Sequence, residues 1–377
     1  MSRPTVVEID LGTLRFNLNQ IKDITKGESD ILAMVKANAY GHGAGPVARE
    51  LESAGVSLFG VATVDEGIEL RQAGVTLPLL ILGGIYPGEF QTFLQNRLTP
   101  VLFDPETIRG LEENARKTGS PFAVHLKIDT GMSRLGFLWR QFESVLSVLR
   151  DTRFLRVEGL MTHLAVAESP RPEDRAFTEE QVRRFGICMN QAKRAGIFPR
   201  YLHVANSSAT TIWKNARFNL VRPGLMLYGV TPTPALASRI SLKPILSWKT
   251  GIVSINSLSP GESVSYGRTF TCSKDSLIAT LPIGYADGYR RSFSNRAEVL
   301  VRGKRARVAG IVCMDLTMID VSEIPGVRAG DEVVLLGKQG SDEIHVFELA
   351  RWAETIPYEI FCGIGKRVPR LYLNGSG

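Results

Sequence analysis

The sequence predicts an α/β protein: an N-terminal (β/α)8 TIM-type barrel, residues 1–240, followed by a mostly β domain, residues 241–377. Two observations carry this. Up to the Pro/Ser/Thr-rich stretch 231–244 (TPTPALASRISLKP), short apolar runs alternate with helical patterns. Beyond it, turn-divided strand runs take over. A chain of 377 residues is long enough to bury two cores.

In chain order, residues 5–10 (TVVEID) read as a strand and 11–24 as a helix. Strand runs follow at 31–36, 58–63, 78–82, 99–102, 122–128, 156–162, 201–204 and 218–222. Helical patterns fill 46–54, 64–73, 104–118, 139–150 and 173–195, and Asp104 before Pro105 is an N-cap with proline at the first helical position. Eight strand–helix units are what a barrel needs, with its site at the strand C-termini. Counting alone leaves a doubly wound sheet open. The second domain carries strand runs at 245–257, 276–283, 297–301, 305–314, 316–320 and 332–336, with one helical pattern at 345–355.

Composition places the chain among soluble globular proteins: 44% hydrophobic and 22% charged, with no membrane-length apolar run and no signal-like N-terminus. Cys188, Cys272, Cys313 and Cys362 are scattered, without a CxxC pair, which fits a reducing cytoplasm. Five histidines without HExxH spacing predict no metal site. A net charge of +7 reads first as a solvated basic surface, with attraction of an anionic substrate or cofactor as the alternative. The basic run 302–307 (RGKRAR) lacks aromatic interleaving and reads as a β-turn and strand, so no nucleic-acid partner is expected.

The stretch 31–43, ILAMVKANAYGHG, sets Lys36 at the end of a buried strand and follows it with small and polar turn residues. A lone strand-end lysine commonly just reaches solvent, but one ringed by apolar groups can lose its proton and attack carbonyls. Further on, Arg134 lies in a Gly-containing loop (KIDTGMSRLG) where its planar fork could hold a carboxylate. His163 ends a strand, and HVANSS (203–208) opens a helix whose amides and hydroxyls suit an anion. RPGLMLYG (222–229) follows the last barrel strand, the usual place for a phosphate, and Gly224 allows close backbone approach.

VKANAYGHG resembles the cofactor-lysine motif of alanine racemase, a pyridoxal 5′-phosphate (PLP) family. The resemblance continues in order through DTGMSRLG, HVANSS, RPGLMLYG, SYGRTF and CMD, covering residues 36 to 358. It implies that Lys36 carries PLP, that Tyr40, Asn206, Ser207, the Gly224 and Leu225 amides and Tyr358 surround its phosphate, and that Arg222 faces its pyridine nitrogen. It implies a substrate carboxylate held by Arg134 and the Met314 amide, and an access corridor past Tyr285. Lys127 is the position that some members carbamylate to orient the arginine. By the same resemblance Lys36 and Tyr266 are the two bases, on the D- and L-alanine faces, and His163 hydrogen-bonds the tyrosine beside the cofactor. Tyr266 and Met314 would reach the barrel of a second subunit, making a cytoplasmic homodimer with shared sites that supplies D-alanine for peptidoglycan.

The residue types make chemical sense of these roles. Racemisation removes a proton from one face of the α-carbon and returns one to the other, so two acid–base groups suffice. Tyrosine's ordinary pKa of ~10 requires neighbours that stabilise phenolate. Arginine keeps its proton and can only donate to an unprotonated ring nitrogen, whereas an aspartate would favour a pyridinium and a stronger electron sink. Arg222 thus argues against a decarboxylase of the same fold. A broader amino-acid racemase differs mainly in pocket lining, and a non-catalytic PLP carrier has no need of Tyr266 and Met314. One departure from the pattern is Ile311, where many members have a basic residue that lines the corridor.

Overall fold

The computed structural model describes residues 3–374, which divide into two compact units. One unit holds Leu14–Ala39 and Ala44–Lys243; the other gathers the chain up to Thr13, Tyr40–Gly43 and the chain from Pro244.

The first unit is the expected (β/α)8 barrel. Its strands are Asp30–Met34, Leu58–Val61, Leu79–Ile81, Leu98–Leu102, Phe122–Asp129, Leu155–Met161, Tyr201–His203 and Leu220–Val221. The first seven pair in parallel, each with its neighbour in sequence, and Leu220–Val221 pairs in parallel with Asp30–Met34. Arg222 N–H donates to the Ala205 carbonyl across the remaining seam, 2.9 Å. Residues 31–34, 58–61 and 79–81 are buried throughout, as befits strands covered on both faces. Two glycines let the interior close. A Cβ at Gly60 would sit 2.6 Å from Leu32 Cδ2, and one at Gly159 would sit 2.2 Å from the His125 ring opposite it.

The helices follow their local signals. Asp104 caps Pro105–Thr118 by accepting from Thr107 N–H at 2.7 Å, and Gly119 ends that helix at φ 66°. Thr63 and Glu66 form a capping box on Val64–Gln72. Among the described residues no helix is long and apolar enough to cross a membrane.

The second unit is built on a ten-stranded sheet, antiparallel but for one pair. Val6–Asp10, grouped with the barrel on sequence grounds, lies here instead, antiparallel to Leu246–Gly251 and parallel to Arg370–Leu373. Its alternating burial, with Val7 and Ile9 inward, is that of a half-covered strand and unlike the continuous barrel runs. The domain limits at 240 and 241 therefore differ from the compact units, which part after Lys243 and draw in the N-terminal strand. Two helices escaped the sequence patterns: Phe90–Gln95 in the barrel and Pro357–Gly363 in the sheet unit, each too short to establish a period.

The basic run is a hairpin. Arg302 and Gly303, at φ 51° and 73°, turn the chain between Glu298–Val301 and Lys304–Val308. Arg305 is occupied by Glu298, Asp342 and Glu348 at 2.8–3.1 Å, so its charge is internally balanced.

Candidate active site

The first barrel strand ends at Met34, two residues before Lys36 and earlier than the 31–36 run predicts. The chain then makes a left-handed turn: Ala37, Asn38, Ala39 and Tyr40 have φ of 51°, 54°, 52° and 54°. Each L-residue in this region costs roughly 1–2 kcal/mol, so the surroundings must hold it. Ala39 N–H donates to Val35 O at 2.8 Å, Ala37 N–H to Glu66 Oε1 at 2.6 Å, and Ala44 N–H to Asn38 Oδ1 at 2.7 Å.

Arg222, directly after the last barrel strand, is only 4% exposed. Its Nη1 donates to His203 O at 2.6 Å, and Nη2 to Thr162 O and Val204 O at 2.8 and 3.1 Å. The same nitrogens face His203 Nδ1 at 3.3 Å and His163 Nδ1 at 3.4 Å. Nε–H takes part in none of these bonds. Burial lowers the guanidinium pKa to about 10, still protonated at neutral pH.

The histidines around it are neutral. Burial first, then the Arg222 charge, holds His125 and His163 down to about 3, and His203 is likewise pushed well below its ordinary value by burial, His125 and Arg222. Because Arg222 offers only donors, Nδ1 of His203 accepts and its proton sits on Nε2, which reaches His125 Nδ1 at 2.8 Å. The same argument leaves His163 with its proton on Nε2.

Lys127, near the end of the fifth barrel strand, is 6% exposed. Burial and the charges of Arg134, Arg222 and Lys36, partly opposed by Asp129, lower its pKa to about 8. The loop beyond is wound round Asp129, whose Oδ1 accepts from the amides of Gly131, Met132 and Ser133 at 2.8, 3.0 and 3.1 Å. Arg134 stands exposed on that loop. Buried Gln181 stitches the ends of strands five and six, donating to Thr130 Oγ1 at 3.3 Å and His163 O at 3.1 Å while accepting from Ala165 N–H at 3.0 Å.

The structure brings Ser207 and Gly224 together: the Gly224 amide donates to Ser207 Oγ at 3.0 Å, and Leu225 follows directly. The helix cap here is Asn206, whose Oδ1 accepts from Ala209 N–H at 3.0 Å, and Ser207 is thus not the cap. Lys36, Lys127, Arg134, His163, Asn206, Ser207, Arg222, Gly224 and Leu225 all belong to the barrel unit, at or beyond strand C-termini.

The remaining predicted residues belong to the sheet unit. The Tyr40 and Tyr358 rings lie 5.7 Å apart, tilted by 46°. Tyr40 is held in a tight loop, since a Cβ on Gly41 would meet Phe361 O at 2.1 Å. Tyr285 and Met314 are tied by paired backbone bonds, Tyr285 N–H to Cys313 O and Ala286 N–H to Met314 O, both 3.0 Å. Buried Asp287 clamps this pair of loops through Gly284 N–H at 3.1 Å and an ion pair with Arg3. Tyr266 sits on a turn between Ser263–Val264 and Phe270–Thr271, and is 72% exposed. Ser265 donates to the Ile311 carbonyl at 2.6 Å, so the chain at the departing residue supports the tyrosine turn.

Glu66, His125, Asp129, Gln181 and Asp287 went unassigned in sequence. Glu66 had a local signal in the T-x-x-E spacing of a capping box, and Asp129 in being the first residue of DTGMSRLG.

Fold and site together define a TIM-barrel protein with Lys36, Lys127, Arg134 and Arg222 gathered at or near the C-terminal ends of its strands. Residues 9–232 match the profile of the alanine racemase N-terminal domain and 245–372 that of the C-terminal domain. The alanine racemase of Geobacter sulfurreducens is 46% identical over 376 residues, spanning 100% of this chain and 98% of the relative. That of Halothermothrix orenii is 44% identical, spanning 100% and 99%. Among solved structures, alanine racemase of Clostridium difficile 630 superposes with a TM-score of 0.93 at 36% identity, covering 99% of this chain and 96% of the other. The Bacillus anthracis enzyme with bound L-Ala-P gives 0.93 at 34%, covering 100% and 97%. The chain belongs to the alanine racemase family and is a racemase.

Proposed function

We propose that this racemase uses PLP and interconverts L- and D-alanine through two bases, Lys36 and Tyr266. The observation that carries the reading is Arg222. It is buried, charged, surrounded by neutral histidines, and has Nε–H outside its five protein contacts. A phosphorylated pyridine aldehyde fits this donor set: a primary amine at Lys36, a guanidinium donor for the ring nitrogen, and a hydroxyl with adjacent amides at Ser207, Gly224 and Leu225 for the phosphate. By the family resemblance, Tyr40 and Tyr358 would also hold the phosphate, with Asn206 beside it. When bound, the cofactor supplies an electron sink for the charge left on the substrate α-carbon.

The chain's own residues do the rest. Arg222 donates a hydrogen bond without giving up its proton, which keeps that sink weak and limits side reactions. Arg134 and the Met314 amide hold the substrate carboxylate. Lys36 moves the proton on the D-face and Tyr266 on the L-face. His163, a donor through Nε2, stabilises the Tyr266 phenolate. At pH 7 about a tenth of a lysine with pKa near 8 is neutral, as for Lys127. That amine can add carbon dioxide, releasing a proton and leaving a carbamate anion among Arg134, Arg222 and Lys36.

Tyr266 and Met314 are 72% and 54% exposed, which supports a homodimer in which each reaches the other chain's barrel. D-alanine made in the cytoplasm would serve peptidoglycan synthesis. Ile311 removes a cation from the corridor past Tyr285, and this bears on how many amino acids are accepted.

Polarimetry with L-alanine, L-serine and L-lysine, beside the visible absorbance of bound cofactor, tests the reading. Loss of the band in Lys36→Ala, with rotation decaying mainly for alanine, is the expected result; comparable turnover of lysine indicates a broad-specificity racemase, and no band refutes PLP. Mixing Lys36→Ala with Tyr266→Phe chains should restore about a quarter of wild-type activity, because half the dimers would carry one intact site. No recovery would refute shared sites.

A further inference from the structure

We propose that Glu66 is a positioning residue for Lys36, an inference that rests on reading Lys36 as the cofactor lysine. Glu66 stands third in the helix Val64–Gln72, where a capping-box glutamate ordinarily serves the N-cap amide alone. Here that local bond is the weak one. Glu66 lies 3.4 Å from Thr63 N, whereas Oε2 accepts from Ala62 N–H at 2.7 Å and Oε1 from Ala37 N–H at 2.6 Å. The short bonds join two strand ends. Ala62 follows the strand Leu58–Val61, and the Ala37 amide is the peptide formed by Lys36 itself.

The bond also falls where the backbone most needs it. Ala37 opens four consecutive residues at positive φ, and its amide marks the change of hand. One carboxylate bridging the two strand ends fixes the plane of the Lys36–Ala37 peptide, and with it the direction in which the lysine side chain leaves the barrel. Without that bridge, the turn keeps the Ala39 and Asn38 bonds, so the fold survives while the peptide gains freedom. Small misplacement of a reacting group lowers rate rather than affinity.

Glu66→Ala and Glu66→Gln holoenzymes, with Thr63→Ala as the control for capping, provide the test. Glutamine offers one acceptor oxygen for two amides, so it should be intermediate. In Glu66→Ala, kcat per bound cofactor should fall roughly 10- to 100-fold with KM for alanine changed less than about threefold. Because Lys36 works on the D-face, the primary isotope effect with α-deuterated D-alanine should rise while that with L-alanine stays put. Thr63→Ala should lower the melting temperature and leave both isotope effects unchanged. Wild-type kcat in both Glu66 variants would overturn the proposal. So would isotope effects that move together, or a loss that vanishes on normalising to bound cofactor. Borohydride reduction and peptide mapping separate the underlying reading: an adduct on a lysine other than Lys36 would overturn that reading, whatever Glu66 does.

Discussion

Replacing Lys127 by methionine should stabilise the protein near neutral pH, against the usual expectation for removing a buried polar group. The Lys127 ammonium is desolvated and faces Arg134, Arg222 and Lys36, with Asp129 alone opposing them, and its pKa falls from 10.5 to about 8. In the unfolded chain the ordinary value returns. Between pH 8 and 10.5 unfolding therefore takes up a proton, so stability rises with pH through that window and the full penalty applies below it. The difference, 10.5 − 8 = 2.5, corresponds to about 3 kcal/mol at 1.36 kcal/mol per unit. Methionine keeps the apolar stem and removes the charge, so a gain of about 1–3 kcal/mol at pH 7 is expected after imperfect packing. Urea unfolding followed by circular dichroism in carbon-dioxide-free buffer from pH 7 to 10.5 measures it. The wild type should gain stability across the upper half of that range and Lys127→Met should not. Bicarbonate should stabilise the wild type only, because a carbamate binds the folded state alone. Parallel pH curves for the two proteins would refute the electrostatic reasoning, and an equal response to bicarbonate would refute the carbamate.

His125 and His163, held near 3 against an ordinary 6.5, take up protons on unfolding below that ordinary value. Stability should accordingly fall as pH drops from about 6.5 towards 3, and His125→Gln should make that slope shallower in acid titrations followed by fluorescence. Gly159→Ala puts a methyl 2.2 Å from the His125 ring, breaking its bond to His203; overpacking and the lost bond should cost about 2–4 kcal/mol in denaturant unfolding. Gly284→Ala would set a Cβ 2.3 Å from Cys313 O and 2.4 Å from Met314 O, so kcat/KM for alanine should fall at least tenfold by steady-state assay while the barrel's own stability is unchanged.

Most of the barrel was legible because its rules are local. A parallel strand covered on both faces tends to be a continuous apolar run, as at 31–34, 58–61 and 79–81, and such runs stand out in the sequence. The strand Val6–Asp10, which pairs within the sheet unit, obeys a different local rule, since TVVEID alternates and Thr5, Val7 and Ile9 face inward. Its partners at Leu246–Gly251 and Arg370–Leu373 lie more than two hundred residues away, and no period within the strand could name them. Among the candidate site residues, Lys36, Lys127, Ser207 and Arg222 stand in motifs beside strand ends. The residues that brace candidate positions are less legible: His125 behind Arg222, and Asp287 beneath Tyr285 and Met314, sit among apolar or turn residues and look like packing until the structure sets His203 or Arg3 against them.

By itself, the sequence determined the strand–helix alternation, the change to a mostly β second half and the chemical types gathered at the strand ends. These depend on apolar periodicity, caps and short motifs, which act within a few residues. The tertiary structure decided how those groups are held. It set the left-handed turn after Lys36, the neutral histidine chain behind Arg222, the depressed Lys127 and the sheet that claims the N-terminal strand. Each arises from ring closure, burial or pairing between residues far apart in the chain, where desolvation and contact geometry, rather than propensity, set the energy.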